Sequence, residues 1–345
     1  MKRALLTGPG QFVLEETPKP SPQAGEALVR ITAVGVCGSD MHMFKEGNIG
    51  GICLEAGRPA VVGHEAVGVV EAVGSGGEAS QVGQRVLVEP AIPCGRCPWC
   101  LAGKANVCPH HEFLGLPPKD GALQEYMVHP AHLCAPIPEE LSDDQAVLLE
   151  PLAIALHAID RVNFRPGSAA AVLGSGPIGL SVLMLLHEMG CHPLIATDKL
   201  EYRLDFARQM GATHTLNPRR DDVVARVHEL TGGYGSAYTF EAAGDAETFR
   251  QMVAAAGPAG QVAVLGIPAK DEIAFQASVA RRKGLDVRMI RRSNRTTERA
   301  MAWALRNHMP LGKLATHHWP MSQVQQAFET VAAYADGVVK GIVKP

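Results

Sequence analysis

The stretch Ala169–Asp198, AAAVLGSGPIGLSVLMLLHEMGCHPLIATD, constrains the fold more than any other part of the chain. Ala169–Leu173 is an apolar run of strand length without a polar interruption, the pattern of a strand buried on both faces. Gly174, Gly176 and Gly179 follow at G-x-G-x-x-G spacing, with Pro177 and Ile178 between them, and Leu180–Met189 continues as an apolar helix. At this spacing the first glycine allows a tight turn and the second lets a pyrophosphate approach the backbone. The third lets helix and strand pack closely, and free N–H groups at the helix start face the phosphates. A second apolar run, Pro193–Thr197, ends at Asp198, where an acid accepts from ribose hydroxyls. The glycine spacing alone also occurs in ordinary strand-to-helix turns. Strand, helix, second strand and terminal acid in register together predict dinucleotide binding.

One such unit does not account for 345 residues, a length that calls for two domains. The formal net charge of −3 points to neither a nucleic acid nor another polyanion as partner. The opening MKRALLTGPGQFVLEE meets Gly-Pro and then acids before a signal-peptide core forms, and no apolar run approaches the roughly 18 residues of a membrane span. A cytoplasmic protein without membrane contact is expected, and its eight cysteines then read as ligands or buried thiols rather than disulfides.

Up to about Leu152 the chain reads as short strands and turns, with strand composition at Ala27–Val34, Val67–Val73 and Arg85–Val88. Ser142-Asp-Asp-Gln opens a helical segment, and a longer helix pattern follows Glu150-Pro151 to Val162. Strand and helix then alternate. The strands are expected at Ala169–Leu173, Leu194–Thr197, Thr213–Leu216, Ala237–Glu241, Gln261–Leu265 and Asp286–Ile290. Helix patterns at Thr297–Arg306 and Met321–Ala332 and a strand-like end complete the chain. The order predicts a doubly wound α/β domain inserted late into a mostly β domain, to which the C-terminus returns.

Three groups carry chemistry. Cys37, in Val36-Cys-Gly-Ser-Asp-Met-His42, reads by itself as a small buried thiol. Gly63-His64-Glu65 offers an imidazole and a carboxylate on a turn. Adjacent strand residues point to opposite faces, so both reaching one metal requires a departure from strand geometry. A turn histidine beside a solvated glutamate fits that pair equally well. Cys94, Cys97, Cys100 and Cys108 make a much stronger pattern, three at C-x-x-C spacing and the fourth after seven residues. Four thiolates this close suit a closed tetrahedral zinc site, with an iron–sulfur cluster or free thiols as the alternatives. Such a site shapes a loop and leaves no open position for a substrate. Glu150 before Pro151 suits a helix start through the dipole. His157 reads as a core or groove histidine, and His110, His111, His317 and His318 lack companions at metal spacing.

In this order, Cys37-Gly-Ser39-Asp-x-His42, Gly63-His64-Glu65, the four-cysteine lobe, Glu150-Pro151 and Gly174-x-Gly176-x-x-Gly179 resemble the zinc-dependent medium-chain dehydrogenases over essentially the whole chain. Glu150-Pro-Leu-Ala153 and Pro117-Pro-Lys-Asp-Gly121 look like the polyol dehydrogenases of that superfamily. Thr197-Asp198, Glu201-Tyr-Arg203-Leu204 and Leu265-Gly-Ile-Pro268 resemble threonine dehydrogenase. The resemblance implies a doubly wound Rossmann domain over 154–290 and a mostly β GroES-like catalytic domain over 1–153 and 291–345, with a zinc lobe near 90–110. It implies two zinc ions per chain, NAD, and a homotetramer. A catalytic zinc is held by Cys37, His64 and one of Glu65 and Glu150, the other glutamate holding the metal-bound water or substrate. A second direct carboxylate makes the site net negative, so only one glutamate is a ligand, and by resemblance it is Glu65. Ser39 takes the hydroxyl proton and passes it through the nicotinamide ribose to His42. Arg292 and Glu150 contact substrate hydroxyls, and Phe44 and Phe113 are apolar walls. Asp198 favours NAD over NADP, a preference that the nearby Lys199 and Arg203 soften. Gly47–Arg58 is unusual beside that family, and Ser293 stands where sorbitol enzymes often have tyrosine. The activity implied is oxidation of a polyol secondary alcohol to a ketose, with threonine or small secondary-alcohol oxidation as the alternative. A non-catalytic NAD-binding regulator is the alternative of another class.

Overall fold

The computed structural model describes residues 1–54, 58–77, 80–270 and 272–345. The chain divides into two compact units, Met1–Glu150 with Pro310–Pro345, and Pro151–Met309. The boundaries between these units fall at 150/151 and 309/310, where the resemblance implies 153/154 and 290/291. The helix Thr297–Arg306 accounts for the second difference. Thr296 Oγ1 before it donates to the Ala153 carbonyl at 2.7 Å, and Arg299 pairs with Asp160 at 2.5 Å. Both partners lie on the second unit's first helix, so this segment packs there. No helix among the described residues is long and apolar enough to cross a membrane.

In the first unit, β1 (Glu26–Gly35) is followed by α1 (Gly38–Glu46), β2 (Glu65–Val73), β3 (Arg85–Val88), β4 (Tyr126–Pro130) and β5 (Cys134–Pro136). The helix α2 (Leu149–Arg161) carries the chain across the Glu150/Pro151 boundary. The second unit contains β6 (Ala170–Leu173), α3 (Pro177–Glu188), β7 (Leu194–Thr197), β8 (His214–Leu216), β9 (Ser236–Glu241), α4 (Ala246–Ala255), β10 (Ala256–Val264) and β11 (Asp286–Met289). The chain then returns to the first unit with β12 (Ala315–Pro320), α5 (Val324–Ala333) and β13 (Lys340–Lys344).

The first unit's sheet runs β5-β3-β2-β1-β13-β12, with β4 also paired to β1. Antiparallel pairing of Ile342 with Gly35 and Val343 with Val34 ties the C-terminal strand to β1. Its core includes Val29, Ile31, Val34, Val61, Val62, Met43, Phe44 and Phe328. Phe44 was expected to line a substrate site. Instead α1 turns it inward, where its ring lies 5.8 Å from Phe12 and 5.4 Å from Phe328, and it is 5% exposed. Gly47 begins a small hairpin, Asn48–Ile49 with Ile52–Cys53. The rest of the unusual Gly47–Arg58 segment, residues 55–57, lies outside the described residues.

The second unit's sheet is wholly parallel, in the order β8-β7-β6-β9-β10-β11. The first three strands run outward one way from β6 and the last three the other way. This is the doubly wound order with its switch point between β6 and β9, where ligands bind beyond the carboxyl ends of the strands. Strand composition predicts this sheet closely, because buried parallel strands are apolar throughout. Only β10 differs much. It starts at Ala256, ahead of the expected Gln261, because the Gly-Pro-Ala-Gly turn signal is absorbed by a register shift opposite Ser236 and Tyr238.

Truncating Phe44 to alanine removes a fully packed ring, so it should destabilise the first unit by about 3–5 kcal/mol. The measurement is a shift of that unit's unfolding transition in urea, with the relative rates on a panel of alcohols left unchanged.

Candidate functional site

The first unit's site grows from the start of α1. Cys37 is the helix's N-cap, and its backbone N–H donates to the Asp40 carboxylate at 3.0 Å. Asp40 is itself buried. It also accepts from the Gly63 N–H at 3.3 Å and stands 3.4 Å from His64 Nδ1. One carboxylate thus fixes the helix start, the turn at Gly63 and the imidazole ring, an arrangement typical of a histidine whose other nitrogen serves a metal. Gly63 has φ 93 and β2 begins only at Glu65. His64 therefore lies outside the strand, which is the departure needed for two adjacent residues to face one point. Ligand atoms of Cys37, His64 and Glu65 all lie within 4.8 Å of one another. A thiolate, an imidazole and a carboxylate match the donor preference of zinc.

Glu65 has a partner that no local pattern announces. Lys340 Nζ, on β13, donates to its two carboxylate oxygens at 2.7 and 2.5 Å and to the Val36 carbonyl at 3.1 Å. Both side chains are 1% exposed. Burial works against the lysine's charge, but the negative charges of Glu65 and Cys37 raise its pKa above the usual value. For His64, burial lowers the pKa, and Asp40 and Cys37 outweigh it and raise it well above the usual value. Glu150, buried beside this group, falls outside the three-residue ligand cluster. Burial pushes its carboxyl up to about 8, with His64 opposing and Glu65 reinforcing.

Ser39 Oγ lies 3.4 Å from His64 Nε2, while His42 sits half-buried on the same helix with no direct hydrogen bond to Ser39 among the described residues. The Phe113 ring lies 5.2 Å from that of His64 and so flanks the cluster. Arg292 belongs to the second unit, half-buried after β11 with φ 54.

The four-cysteine lobe is separate. Cys97 Sγ stands 3.4 Å from Cys100 Sγ and 3.8 Å from Cys108 Sγ, and all four sulfurs form one group. Backbone N–H groups of Cys94 and Cys100 aim at the sulfurs of Cys108 and Cys97. The Arg96 N–H, outweighing desolvation and helped by that of Cys97, holds the Cys94 thiol down at about 6. N–H donors pointed at clustered sulfurs stabilise thiolates, the form a metal takes. Among the described residues, His110, His111, His157, His317 and His318 join no comparable group. His111 bonds the Cys108 carbonyl, His317 stacks on Trp319 and His318 pairs with Asp144, and His157 is buried as expected.

In the second unit the glycine turn has the geometry its spacing implies. Gly174 has φ 99, and a Cβ on Gly179 would stand 1.9 Å from the Gly174 carbonyl oxygen. Gly176 caps α3, with Pro177 in its first turn. Asp198 directly follows β7, accepting from the Ser175 N–H and the Leu200 N–H, each at 2.9 Å. Each oxygen keeps a second lone pair for another donor. Arg203 Nη1 lies 3.8 Å from Asp198. Lys199 pairs instead with Asp245 at 2.7 Å, so its charge is already matched.

A buried Cys-His-Glu cluster able to hold a metal, a four-cysteine lobe and a doubly wound domain with a glycine turn are the parts of a zinc-binding dehydrogenase. The profile of the alcohol dehydrogenase GroES-like domain matches residues 23–139, and that of the zinc-binding dehydrogenases matches 177–306. The chain belongs to the zinc-type alcohol dehydrogenase family and is an oxidoreductase. It is 33% identical to a sorbitol dehydrogenase of Bacillus subtilis, covering 100% of this chain and 97% of that protein. It is 32% identical to an L-threonine 3-dehydrogenase of Chromobacterium violaceum, covering 97% of each. A solved structure of a dehydrogenase of unknown specificity from Escherichia coli superposes with a TM-score of 0.94 at 31% identity, covering 99% of this chain and 98% of that one.

Asp40 and Lys340 are the site residues that sequence reasoning missed. Asp40 carried a signal, standing three residues after a capping position; Lys340 carried none. Lys340→Met strands a buried carboxylate, so it should cost about 3–5 kcal/mol in urea unfolding. Adding Glu65→Gln to it should restore most of the loss, as the coupling in a double-mutant cycle will read.

Proposed function

We propose that this protein oxidises a secondary hydroxyl of a polyol to a ketose, transferring the hydride to NAD. The observation that carries the reading is the Cys37–His64–Glu65 cluster, in a chain similar over its full length to a sorbitol dehydrogenase. Cys37, His64 and Glu65 would hold the catalytic zinc, and Cys94, Cys97, Cys100 and Cys108 the structural one. Bound zinc supplies Lewis acidity, lowering the pKa of the substrate hydroxyl toward neutrality. Bound NAD supplies the hydride acceptor, with Gly174, Gly176, Pro177, Ile178 and Gly179 meeting its phosphates and Asp198 its ribose hydroxyls.

In this reading Asp40 holds the His64 ring through Nδ1 and leaves Nε2 for the metal. Ser39 Oγ, next to that nitrogen, would accept the hydroxyl proton while giving up its own, which the ribose hydroxyls of bound NAD would carry to His42 for exchange with solvent. Lys340 balances Glu65. Glu150 faces the substrate side as an acceptor, Phe113 is an apolar wall and Arg292 is a donor to further hydroxyls. Eight cysteines without a disulfide among them support a reducing, cytoplasmic setting, and a symmetric tetramer is the assembly we expect. L-Threonine is the second reading, supported by the full-length similarity to a threonine dehydrogenase. Arg292 would then meet its carboxylate.

The protein should hold about two zinc ions per chain, Cys97→Ser about one with lowered stability, and His64→Ala about one with the fold kept and activity lost. Equal metal in wild type and His64→Ala, read by atomic absorption, overturns the catalytic cluster. Across substrates, sorbitol- or xylitol-like polyols should exceed ethanol and propan-2-ol by at least about a hundredfold in kcat/KM, because unpaired polar groups penalise the simple alcohols. Arg292→Ala should lower long-polyol rates most. Turnover of L-threonine with none of any polyol replaces the first reading by the second.

NAD should be preferred over NADP, since Asp198 repels a 2′-phosphate and Lys199 is occupied by Asp245. Asp198→Ala should weaken NAD binding roughly tenfold, the loss of hydrogen bonds to a charged acceptor, and narrow the preference. A wild type that favours NADP contradicts the role given to Asp198.

A further inference from the structure

Glu241 is a buried acid to which the reaction assigns no part. It ends β9, the strand beside the switch point, and is 0% exposed. Its register partners are Leu173 at the end of β6 and Val264 at the end of β10. Its Oε1 accepts three hydrogen bonds, from the Ala243 N–H at 3.0 Å, the Gly244 N–H at 2.8 Å and Thr248 Oγ1 at 2.7 Å. Its Oε2 is buried without a hydrogen-bond partner. It packs so closely on the next loop that a Cβ on Gly266 would stand 2.4 Å from it. The Glu241 carbonyl accepts from the Leu265 and Gly266 N–H groups at 2.8 and 3.0 Å.

This one residue therefore joins the loops after β9 and β10. The first of these also presses on the glycine turn, since a Cβ on Gly174 would meet Ala243 N and Cβ at 2.9 Å. A leucine or methionine could fill the volume, but neither could accept from two turn N–H groups and a threonine hydroxyl. Burial pushes the carboxyl above the usual range, and the Thr248 hydroxyl with the Gly244, Ala243 and Gly266 N–H groups opposes this. The cost of burying an acid with one oxygen unpaired is borne where three strand ends converge.

A doubly wound sheet binds a dinucleotide across its switch point, one mononucleotide on each half. Asp198 and the glycine turn lie on the half that takes the adenosine ribose and pyrophosphate. That leaves the loops after β9 and β10 for the nicotinamide end. We infer that Glu241 is a positioning residue for the nicotinamide half of the cofactor, holding the loop after β9 in its binding shape through Oε1 and setting it against the loop after β10, which its backbone carbonyl and Oε2 meet. The inference rests on the reading of this chain as NAD-dependent.

The test measures NADH and 5′-AMP binding by calorimetry, with thermal midpoints, on zinc-loaded wild type, Glu241→Gln, Glu241→Ala and Thr248→Val. Glu241→Gln keeps the acceptor and should bind both ligands within about twofold of wild type. Glu241→Ala should lose about tenfold or more for NADH, as three hydrogen bonds vanish, while AMP stays within about twofold. Thr248→Val, which keeps the side-chain shape and removes one donor, should lose about fivefold for NADH and decides the matter if the alanine variant does not fold. A merely structural acid would lower the midpoints and leave the ratio of NADH to AMP affinity unmoved, and that result overturns the role. So does Glu241→Gln falling as far as Glu241→Ala. A wild type that binds AMP but neither NADH nor NADPH overturns the cofactor reading as well, so the two failures are distinct.

Discussion

Lys340 meets Glu65 across 275 residues of sequence, and the first unit's site depends on that meeting. An ammonium and a carboxylate at 1% exposure are tolerable only because each satisfies the other. The lysine reaches that point because β13 lies beside β1, with Ile342 opposite Gly35, and Glu65 pairs with Gly35 from the other side of β1. The space is tight. A Cβ on Gly35 would stand 2.2 Å from Glu65 Oε2. Sheet register, a glycine and a buried charge pair therefore specify one another, and the late return of the chain to this unit supplies the cation that the cluster needs.

The two candidate metal groups are built in opposite ways. The cysteine lobe lies within fifteen consecutive residues, and a short turn at Pro98–Leu101 brings its sulfurs together. Its geometry is local, and it leaves no open position. The other group draws Cys37 from the start of a helix and His64 with Glu65 from the start of a strand, with Asp40 and Lys340 behind them. Such a site is held by long-range packing, and groups from several elements can surround an open position. This suits the first to shaping a loop and the second to chemistry.

The second unit applies a related economy at its sheet. The strands end at one edge, where Asp198 follows β7 and Glu241 closes β9. Both acids accept backbone N–H groups from nearby turns. Asp198 is partly open and keeps lone pairs for a ligand, whereas Glu241 is wholly buried and turned toward the loops themselves. The Lys199–Asp245 pair joins the loop following each acid on the exposed rim. Carboxylates of similar position thus divide into one that can meet a ribose and one that shapes the walls.

The amino-acid sequence by itself determined the doubly wound domain, the glycine turn with Asp198, the cysteine lobe and the grouping of Cys37 with His64 and Glu65 through family resemblance. These are carried by spacing or by apolar runs within about thirty residues, where chain geometry leaves few alternatives. Tertiary structure alone decided that Phe44 enters the core with Phe12 and Phe328, that Asp40 holds His64, and that Lys340 neutralises Glu65. It also kept the chain as far as Met309 with the second unit, through Thr296 and Arg299 on α2. A helix pattern says which side chains share a face but not what that face will meet. A lysine near the C-terminus carries no mark of the acid it will pair with, because that contact exists only once the strands between them have found their register.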